Sequence, residues 1–347
     1  MSGKKLSYKG AGVDIDAANE AKRRMGEILA TNDARVLNKV GAFASLFDGA
    51  FPEYKHPVLV LKTEEPGSKQ KLAFEHGSIE SICFDLVNHL VNDAIVMGAK
   101  PLSVQDCIVC GKLEKEVVLN MVSALSAACK ENNAVLTGGE TSEQPDVVPA
   151  GTYILTASIV GVVEKDKIID GSKIQEDDVV LALASSGVHT NGFSLIRKIM
   201  ESNPEIMSEK SGGRSFIETI LTPHRAYYNC LKDLFARDGL VGLAHITGGG
   251  IKENLNRILP DSLSAEIDLS KVRVLPTFGV LKKYGSLEDP DMLRTFNMGV
   301  GIAAVVRKEF AGETIAHMKR FGIDAYEIGI IKKGNKDVIF SGQLVFS

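Results

Sequence analysis

The stretch FDLVNHLVNDAIVMGAKPLSVQDCIV, Phe84 to Val109, joins a helical pattern directly to a strand pattern. Up to Gly98 its apolar residues recur at helical spacing, which predicts an amphipathic helix. The apolar run from Pro101 onward predicts a strand that follows after a short turn. Because helical and strand patterns alternate in this way along the chain, the sequence predicts a mixed α/β protein.

A polar, charged stretch, EKDKIIDGSKIQEDD, divides the chain into two halves. The length of 347 residues favours two domains, which we predict at residues 1–170 and 171–347. In the first half the patterns predict a further helix over KEVVLNMVSALSAACKE and strands at HPVLVLKT, AVLT and GTYILTASIVGVV. The second half alternates similarly, with a helix break at Pro223 and an exposed mobile loop at EKSGGRS.

Composition limits the possible classes of function. The net charge is −4, with 40 basic and 44 acidic residues intermixed. The sequence therefore has no basic stripe that would indicate a nucleic-acid partner. The longest apolar run is too short to cross a bilayer and the start lacks a secretory segment, which predicts a cytoplasmic protein without membrane association. Five cysteines do not suggest a disulfide framework. We interpret the C-x-x-C pair, Cys107 and Cys110, as small strand residues in preference to a metal or redox site.

The predicted helix from Phe84 to Gly98 carries short polar side chains on one face. At about 100° per residue, one side of the helix receives Asp85, Asn88, His89, Asn92 and Asp93. Such a face is often simply solvated, and this interpretation stays open. Asp, Asn and His are nevertheless poor helix formers with compact ligand atoms, and Mg²⁺ is held by one or two carboxylates together with substrate phosphates. The alternative interpretation is that this polar face of the helix forms a cation site.

Three junctions combine glycines with polar side chains at the end of a predicted strand. AVLTGGETSEQP places Gly138, Gly139 and Glu140 at a strand's carboxyl end, where α/β proteins commonly bind ligands. ALASSGVHTNG and AHITGGG lead from strands into helices through His189 and His245. Each junction alone could be a structural turn. Freed N–H groups at helix starts bind anions, so two such loops in one half predict a bound phosphate ester.

Several long motifs, in order and spacing, resemble the phosphoribosylformylglycinamidine cyclo-ligase family, also called aminoimidazole ribonucleotide synthetases. The motifs are SYKGAGVDIDAANEA, FDLVNHLVNDAIVMGAKPL, LTGGETSEQP, GVVEKDKIIDGSKI, ALASSGVHTNGFSLIRKI, AHITGGGIKENLNRILP, RTFNMGVGI and EIGIIKKG. The wider family includes selenophosphate synthetase and a hydrogenase maturation factor. Their reactive residue near the start or cysteine at the end has no counterpart here, because the first cysteine is Cys83 and the tail is QLVFS.

The resemblance implies an N-terminal α/β domain whose strands pair across a homodimer, and a C-terminal α/β domain packed on it. It also implies ATP, Mg²⁺ and a small ribonucleotide phosphate ester as ligands. Family members use ATP to phosphorylate the formyl amide oxygen of formylglycinamidine ribonucleotide. An amidine nitrogen then attacks that carbon, and loss of phosphate closes the imidazole ring of 5-aminoimidazole ribonucleotide in purine biosynthesis. Two alternatives stay open: another ATP-dependent phosphoryl-transfer enzyme of this fold, or an idle homologue that binds a nucleotide or a partner.

The resemblance further implies roles for individual residues. Catalytic contacts are expected from His189, Asn191 and Asp93. Contacts to ATP are expected from Lys69, Asp85, Asn92, Gly138 and Gly139. Contacts to the substrate are expected from Ser186, Gly187, Thr190, Gly248, Gly249 and Gly250. The expected metal ligands are Glu64, Asp93 and Glu140.

The chain departs from the family pattern in two places. The pattern has an Asp after the YK of the opening, where this chain has Gly10. It has T-D-G-V-G-T-K where this chain has TEEPGSK. Glu64 keeps the acid but lengthens it by a methylene, and Pro66 pushes Glu65 toward an extended conformation. We expect Glu64 to offer oxygen to a cation, Lys69 to contact phosphate and Glu65 to be solvated.

Overall fold

Two large β-sheets, one in each half, organise the chain in the computed structural model, which describes residues 15–38 and 42–346. Gly10, where the family pattern has a carboxylate, lies outside the described residues. The polar segment 165–178 connects the last strand of the first sheet to the first strand of the second. The mixed α/β fold predicted from the sequence is confirmed. Within the described ranges, no helix is long and apolar enough to cross a membrane.

In the described part of the first half, the elements are α1 (Ile15–Ile28), β1 (Pro57–Glu64), α2 (Lys69–Glu75), α3 (Ile79–Ile95), β2 (Lys100–Cys110), α4 (Lys115–Glu131), β3 (Val135–Glu143) and β4 (Tyr153–Glu164). The strands form one sheet in the order β1-β4-β2-β3, with β2 and β3 parallel and the other neighbours antiparallel. Alternate residues of β4 are buried on the side of α3, and those between them face outward. One face of the sheet is therefore covered by helices and the other is open.

In the second half, the elements are β5 (Val179–Ala184), α5 (Phe193–Ser202), β6 (Lys210–Ser211), β7 (Arg214–Ser215), α6 (Phe216–Ile220), α7 (Tyr228–Leu231), β8 (Leu240–His245), α8 (Gly250–Asn256), β9 (Leu263–Asp268), α9 (Pro276–Gly285), α10 (Asp289–Thr295), β10 (Val300–Val306), α11 (Ala311–Arg320), β11 (Ala325–Lys333) and β12 (Val338–Ser341). A six-stranded sheet has the order β12-β9-β11-β5-β10-β8. Strands β5, β8 and β10 are almost wholly buried, which explains continuous apolar runs such as VVLALA.

The backbone corrects two local predictions. The sequence places Gly138 and Gly139 after the end of a strand, but β3 continues through them because their backbone groups pair with β2. The predicted mobile loop EKSGGRS contains the β6–β7 hairpin, whose turn is formed by Gly212 and Gly213 at positive φ. The helix predicted from Phe84 is confirmed as α3, although it begins more than a turn earlier. The strand prediction for the cysteine pair is also confirmed by β2.

Candidate functional site

Several segments meet where the two halves pack on each other. They are the polar face of α3, the turn 65–68, the loop 185–192, the segment 221–227 and the loop 246–250. Thr190 connects three of them, because its hydroxyl lies 3.0 Å from His89 Nδ1 and its carbonyl borders Gly67. The side-chain amide of Asn191 borders Gly248, so the two predicted phosphate loops are neighbours. The region where these five segments meet is called the cleft below, and both halves contribute to it.

Most of the polar face of α3 binds the main chain of segment 221–227. The Asp85 carboxylate accepts the backbone N–H of His224 at 2.7 Å. Asn88 and Asn92 donate to the carbonyls of His224 and Arg225 at 2.7 and 2.8 Å. Segment 221–227 lies between two helices. These side chains supply hydrogen-bond partners to backbone N–H and C=O groups of the segment that would otherwise lack them. The face is therefore neither solvated nor open: Asp85 and Asn92, predicted to contact ATP, are buried between the halves.

Lys69, predicted to contact phosphate, is fully buried. Its ammonium lies 2.7 Å from Asp85 Oδ2 and donates to the Thr222 carbonyl at 2.9 Å. Burial raises the pKa of the Asp85 carboxyl to about 6 and lowers the pKa of Lys69, whereas attraction between the two groups opposes both shifts. In this conformation Lys69 links the first half to segment 221–227 and does not reach an open surface.

A hydrogen-bonded chain runs from α3 to β8 and on to segment 221–227. Asp93 Oδ1 lies 2.7 Å from His245 Nδ1, and His245 Nε2 lies 2.9 Å from His224 Nε2. A carboxylate only accepts, so His245 donates from Nδ1 to Asp93 and its Nε2 accepts a hydrogen bond from the Nε2–H of His224. Burial acts to raise the pKa of Asp93, but its hydrogen bonds to His245 and Lys62 hold that pKa well below its usual value. Asp93 is therefore a fixed anion.

His189 stacks on this chain. Its ring lies 3.8 Å from that of His224 at an interplanar angle of 22°, and its Nε2 accepts the backbone N–H of Ser186 at 3.2 Å. Nδ1 of both rings is buried without a hydrogen-bond partner among the described residues. Burial, reinforced by neighbouring positive groups, lowers the pKa of both imidazoles well below 6.5, so both are neutral near pH 7. His189 also holds a left-handed φ of 64°, a conformation that is costly for a residue other than glycine.

Glu64 and Asp93, two of the three predicted metal ligands, share a lysine. Lys62 Nζ lies 2.9 Å from Glu64 Oε2 and 3.0 Å from Asp93 Oδ2. His89 Nε2 lies 3.9 and 3.8 Å from the same two oxygens. Burial lowers the pKa of His89 to about 4, so this ring is neutral near pH 7. The structure brings the two carboxylates together around an ammonium group.

Glu140, the third predicted metal ligand, lies on the other face of the sheet. Backbone pairing forms one row across the four strands from Glu64, Ala157, Asp106 and Gly139. Residues of one row point the same way, so Glu140, one residue further on, points to the open face and Glu64 to the covered face. Strands β1 and β3 are also three spacings of about 4.8 Å apart. Within one chain, Glu140 therefore does not join the other two carboxylates.

Two groups of side chains bring three ligand atoms within 4.8 Å of one another: His189, His224 and His245, and His89, Asp93 and His245. Imidazole nitrogens favour transition metals over Mg²⁺. The rings of His189 and His224 are stacked 3.8 Å apart in nearly parallel planes, so lone pairs that lie in those planes do not meet at one ion. In the second group, Asp93 and His245 are bonded to each other. Neither group fits the predicted Mg²⁺.

The predicted substrate loops differ in accessibility. Gly248 is exposed, whereas Gly250 is buried, and an added Cβ there would come within 1.8 Å of the Leu293 carbonyl. Packing alone thus requires glycine at position 250. In the loop 185–192, the Ser186 hydroxyl donates to the Pro223 carbonyl, the Gly187 carbonyl accepts from the Ser185 hydroxyl, and the Thr190 hydroxyl is paired with His89. Gly139 is likewise explained by packing, since an added Cβ would come within 2.4 Å of Asp106 Oδ1.

Lys62 and His224 belong to the site although no motif identifies them. Lys62 precedes Glu64 by two residues, and strand alternation places both on one face, which is a signal present in the sequence. His224 follows Pro223 in a break between helices, and no local pattern predicts its ring partners.

Family models match both halves of the chain. The N-terminal domain of AIR synthase related proteins matches residues 53–163, and the C-terminal domain matches residues 175–341. The two sheets and the cleft between them are therefore those of an AIR synthase related protein. Within this class, the chain belongs to the phosphoribosylformylglycinamidine cyclo-ligase family. Proteins of that name from Burkholderia cenocepacia and Methylobacillus flagellatus are 42% and 39% identical to it, covering 94% of this chain and 93% and 94% of theirs.

Solved structures share the fold at low sequence identity. E. coli HypE has a TM-score of 0.68 and 16% identity, covering 94% of both chains. Thiamine-monophosphate kinase from Stenotrophomonas maltophilia has a TM-score of 0.64 and 14% identity, covering 96% of this chain and 98% of its own. Hydrogenase maturation protein HypE in complex with ATP has a TM-score of 0.64 and 15% identity, covering 92% and 88%. At these identities the likeness concerns the fold alone.

Proposed function

We propose that this chain catalyses the ATP-dependent closure of formylglycinamidine ribonucleotide to 5-aminoimidazole ribonucleotide in purine biosynthesis. The observation that carries the proposal is 39–42% identity, over 94% of the chain, to relatives named as the cyclo-ligase. An amide oxygen is a poor leaving group, so ATP first phosphorylates the formyl amide oxygen. The amidine nitrogen then attacks the carbon that carries the phosphorylated oxygen, and the ring closes as phosphate leaves. The products are ADP, phosphate and the aminoimidazole.

In this proposal the cleft supplies orientation and charge. Asn191 contacts the reacting amide, and His189 contacts it once its ring is uncovered, because its Nδ1 is buried here without a partner among the described residues. Asp93 is held as an anion by His245 and orients the groups around the transferring phosphoryl. The exposed backbone at Gly248 contacts the ribonucleotide phosphate. Holding the amine beside the activated carbon makes ring closure an oriented intramolecular step.

Mg²⁺ is proposed to enter with ATP, coordinated by the phosphates of the nucleotide. The predicted ligand set does not support a three-carboxylate site in the chain, because Glu64 and Asp93 pair with Lys62 and Glu140 points to the opposite face. An ion held by these three residues has no part in the proposed reaction.

An assay with the purified chain tests the proposed function. We expect ATP-dependent formation of aminoimidazole ribonucleotide with one ADP released per product. Asp93→Asn should abolish ring closure while circular dichroism shows a folded protein, and Asp324→Asn, at an exposed salt bridge, should not. Binding of an ATP analogue without turnover would favour the idle homologue. Turnover of ATP only with another amide or phosphate ester would favour a different enzyme of this fold.

We also propose that the open face of the first sheet pairs with a second copy of the chain. Leu59 and Leu61 on the edge strand β1 are 53% and 70% exposed. Apolar side chains on an unpaired edge strand favour association. This homodimer agrees with the pairing that the family resemblance implies, and a cytoplasmic location remains part of the same proposal.

A further inference from the structure

Lys62 lies between two carboxylates that come from different elements. Glu64 ends strand β1 and Asp93 lies near the end of α3, and Lys62 Nζ contacts an oxygen of each at 2.9 and 3.0 Å. The lysine side chain is 37% exposed. Lys62 therefore binds both acids while its side chain stays partly exposed.

A metal ion shared by the two acids would need the space of this ammonium. Mg²⁺ lies about 2.0–2.1 Å from its oxygens, so an ion that bridges Glu64 and Asp93 must sit between them, where Lys62 Nζ is. Two cations in contact would also repel each other strongly in a partly buried cleft. The Lys62 ammonium and a bridging divalent ion therefore exclude each other.

The charge of the cleft depends on the same lysine. Lys69 is fully buried and paired with Asp85, so it does not offset the charge of Glu64 and Asp93. Lys62 thus halves the net negative charge that Glu64 and Asp93 would otherwise present. A lower negative charge favours the approach of a polyphosphate.

We propose that the Lys62 ammonium replaces a protein-held divalent cation at the Glu64–Asp93 pair, and that it acts as a tethered cation for a phosphate oxygen of the nucleotide. Only the identity of that phosphate rests on the proposed function. The replacement of the ion follows from the geometry of the three side chains and is tested separately.

Titration of the nucleotide-free full chain with Mn²⁺, followed by the EPR signal of free Mn²⁺, tests the replacement. The parent and Glu64→Gln should bind Mn²⁺ equally, because the pair holds no ion in the parent. Lys62→Met should gain a Mn²⁺ site, and Lys62→Met combined with Glu64→Gln should lose it again. Mn²⁺ should accordingly raise the Tm of Lys62→Met more than that of the parent.

Two controls test whether the Mn²⁺ site arises from loss of the positive charge at position 62 and not from a change in local packing. Lys62→Arg keeps the cation and should gain no Mn²⁺ site. Lys332→Met removes a strand lysine paired with the exposed Asp177 at 2.6 Å, and should also gain none. A parent Mn²⁺ site that Glu64→Gln removes, or a folded Lys62→Met without an added site, would overturn the proposal. No substrate or turnover is needed, so the result is independent of which reaction the chain catalyses.

Discussion

The Nδ1 nitrogen of His245 lies 2.7 Å from Oδ1 of Asp93. This hydrogen bond connects the end of β8 in the second half to α3 in the first. It holds an anion whose pKa is well below the ordinary value, against the effect of burial. Any change in the packing of the two halves therefore changes the surroundings of the carboxylate that the proposed reaction needs.

Replacing His245 should lower turnover. A hydrogen bond to a charged group is worth about 1.5–3 kcal/mol, so His245→Phe should reduce kcat by about ten- to a hundredfold. His245→Asn keeps an N–H close to the position of Nδ1 and should retain more activity. Steady-state kinetics with both variants measures the difference. Equal kcat for the two would show that the bond to Asp93 is not what matters.

The buried pair of Lys69 and Asp85 should be strongly coupled. Asp85→Asn leaves a buried ammonium without a counter-ion, which should lower the free energy of unfolding by about 3–5 kcal/mol. The double variant Lys69→Met, Asp85→Asn should be less destabilised than Asp85→Asn alone. Urea unfolding measures all three. As a control, Glu75→Gln at the exposed pair with Lys71 should change stability by less than about 1 kcal/mol.

Stability should fall in mild acid. His189 and His224 are neutral in the folded protein, with pKa values lowered well below 6.5 by burial, whereas the unfolded chain protonates them near pH 6.5. The free energy of unfolding is therefore retained above that pH and decreases as the pH falls toward the folded pKa values. Each ring contributes up to about 1.4 kcal/mol per pH unit.

His224→Gln should make this acid dependence shallower, and His76→Gln, at an exposed position, should leave it unchanged. The raised pKa of Asp85 acts in the opposite sense in parent and variant alike, so the comparison isolates His224. Chemical unfolding at a series of pH values below 6.5 gives the slopes. An unchanged slope in His224→Gln would mean that this ring takes up its proton in the folded state.

The exposed leucines of β1 should control association. Leu61→Glu places a charge on the open face of the sheet and should convert the proposed dimer to a monomer. Phe321→Glu, at an exposed apolar residue of the second half, should have no such effect. Light scattering after size exclusion distinguishes the two masses. If the Leu61→Glu protein has the same mass as a dimeric parent, this face of the sheet is not the dimer interface.

The sequence predicts the elements well but not the partners of their polar side chains. Helical spacing correctly places Asp85, Asn88 and Asn92 on one face of α3. Spacing does not show that the face meets main chain, because segment 221–227 lies far along the sequence. Glu140 is a different case, since an apolar run ending at Thr137 gives no sign that backbone pairing continues. That continuation decides which face of the sheet receives the carboxylate.

The attachment of α3 to segment 221–227 uses main-chain groups of that segment, including those of His224 and Arg225, which any residue but proline would supply in full. The His224 ring, in contrast, points at His189 and His245. The side chain at position 224 can therefore change without loss of the bonds that join the two halves. The main chain of this segment holds the two halves together, whereas the side chain at position 224 sets the surroundings of His189. Single substitutions at position 224 can therefore change those surroundings while the fold stays intact.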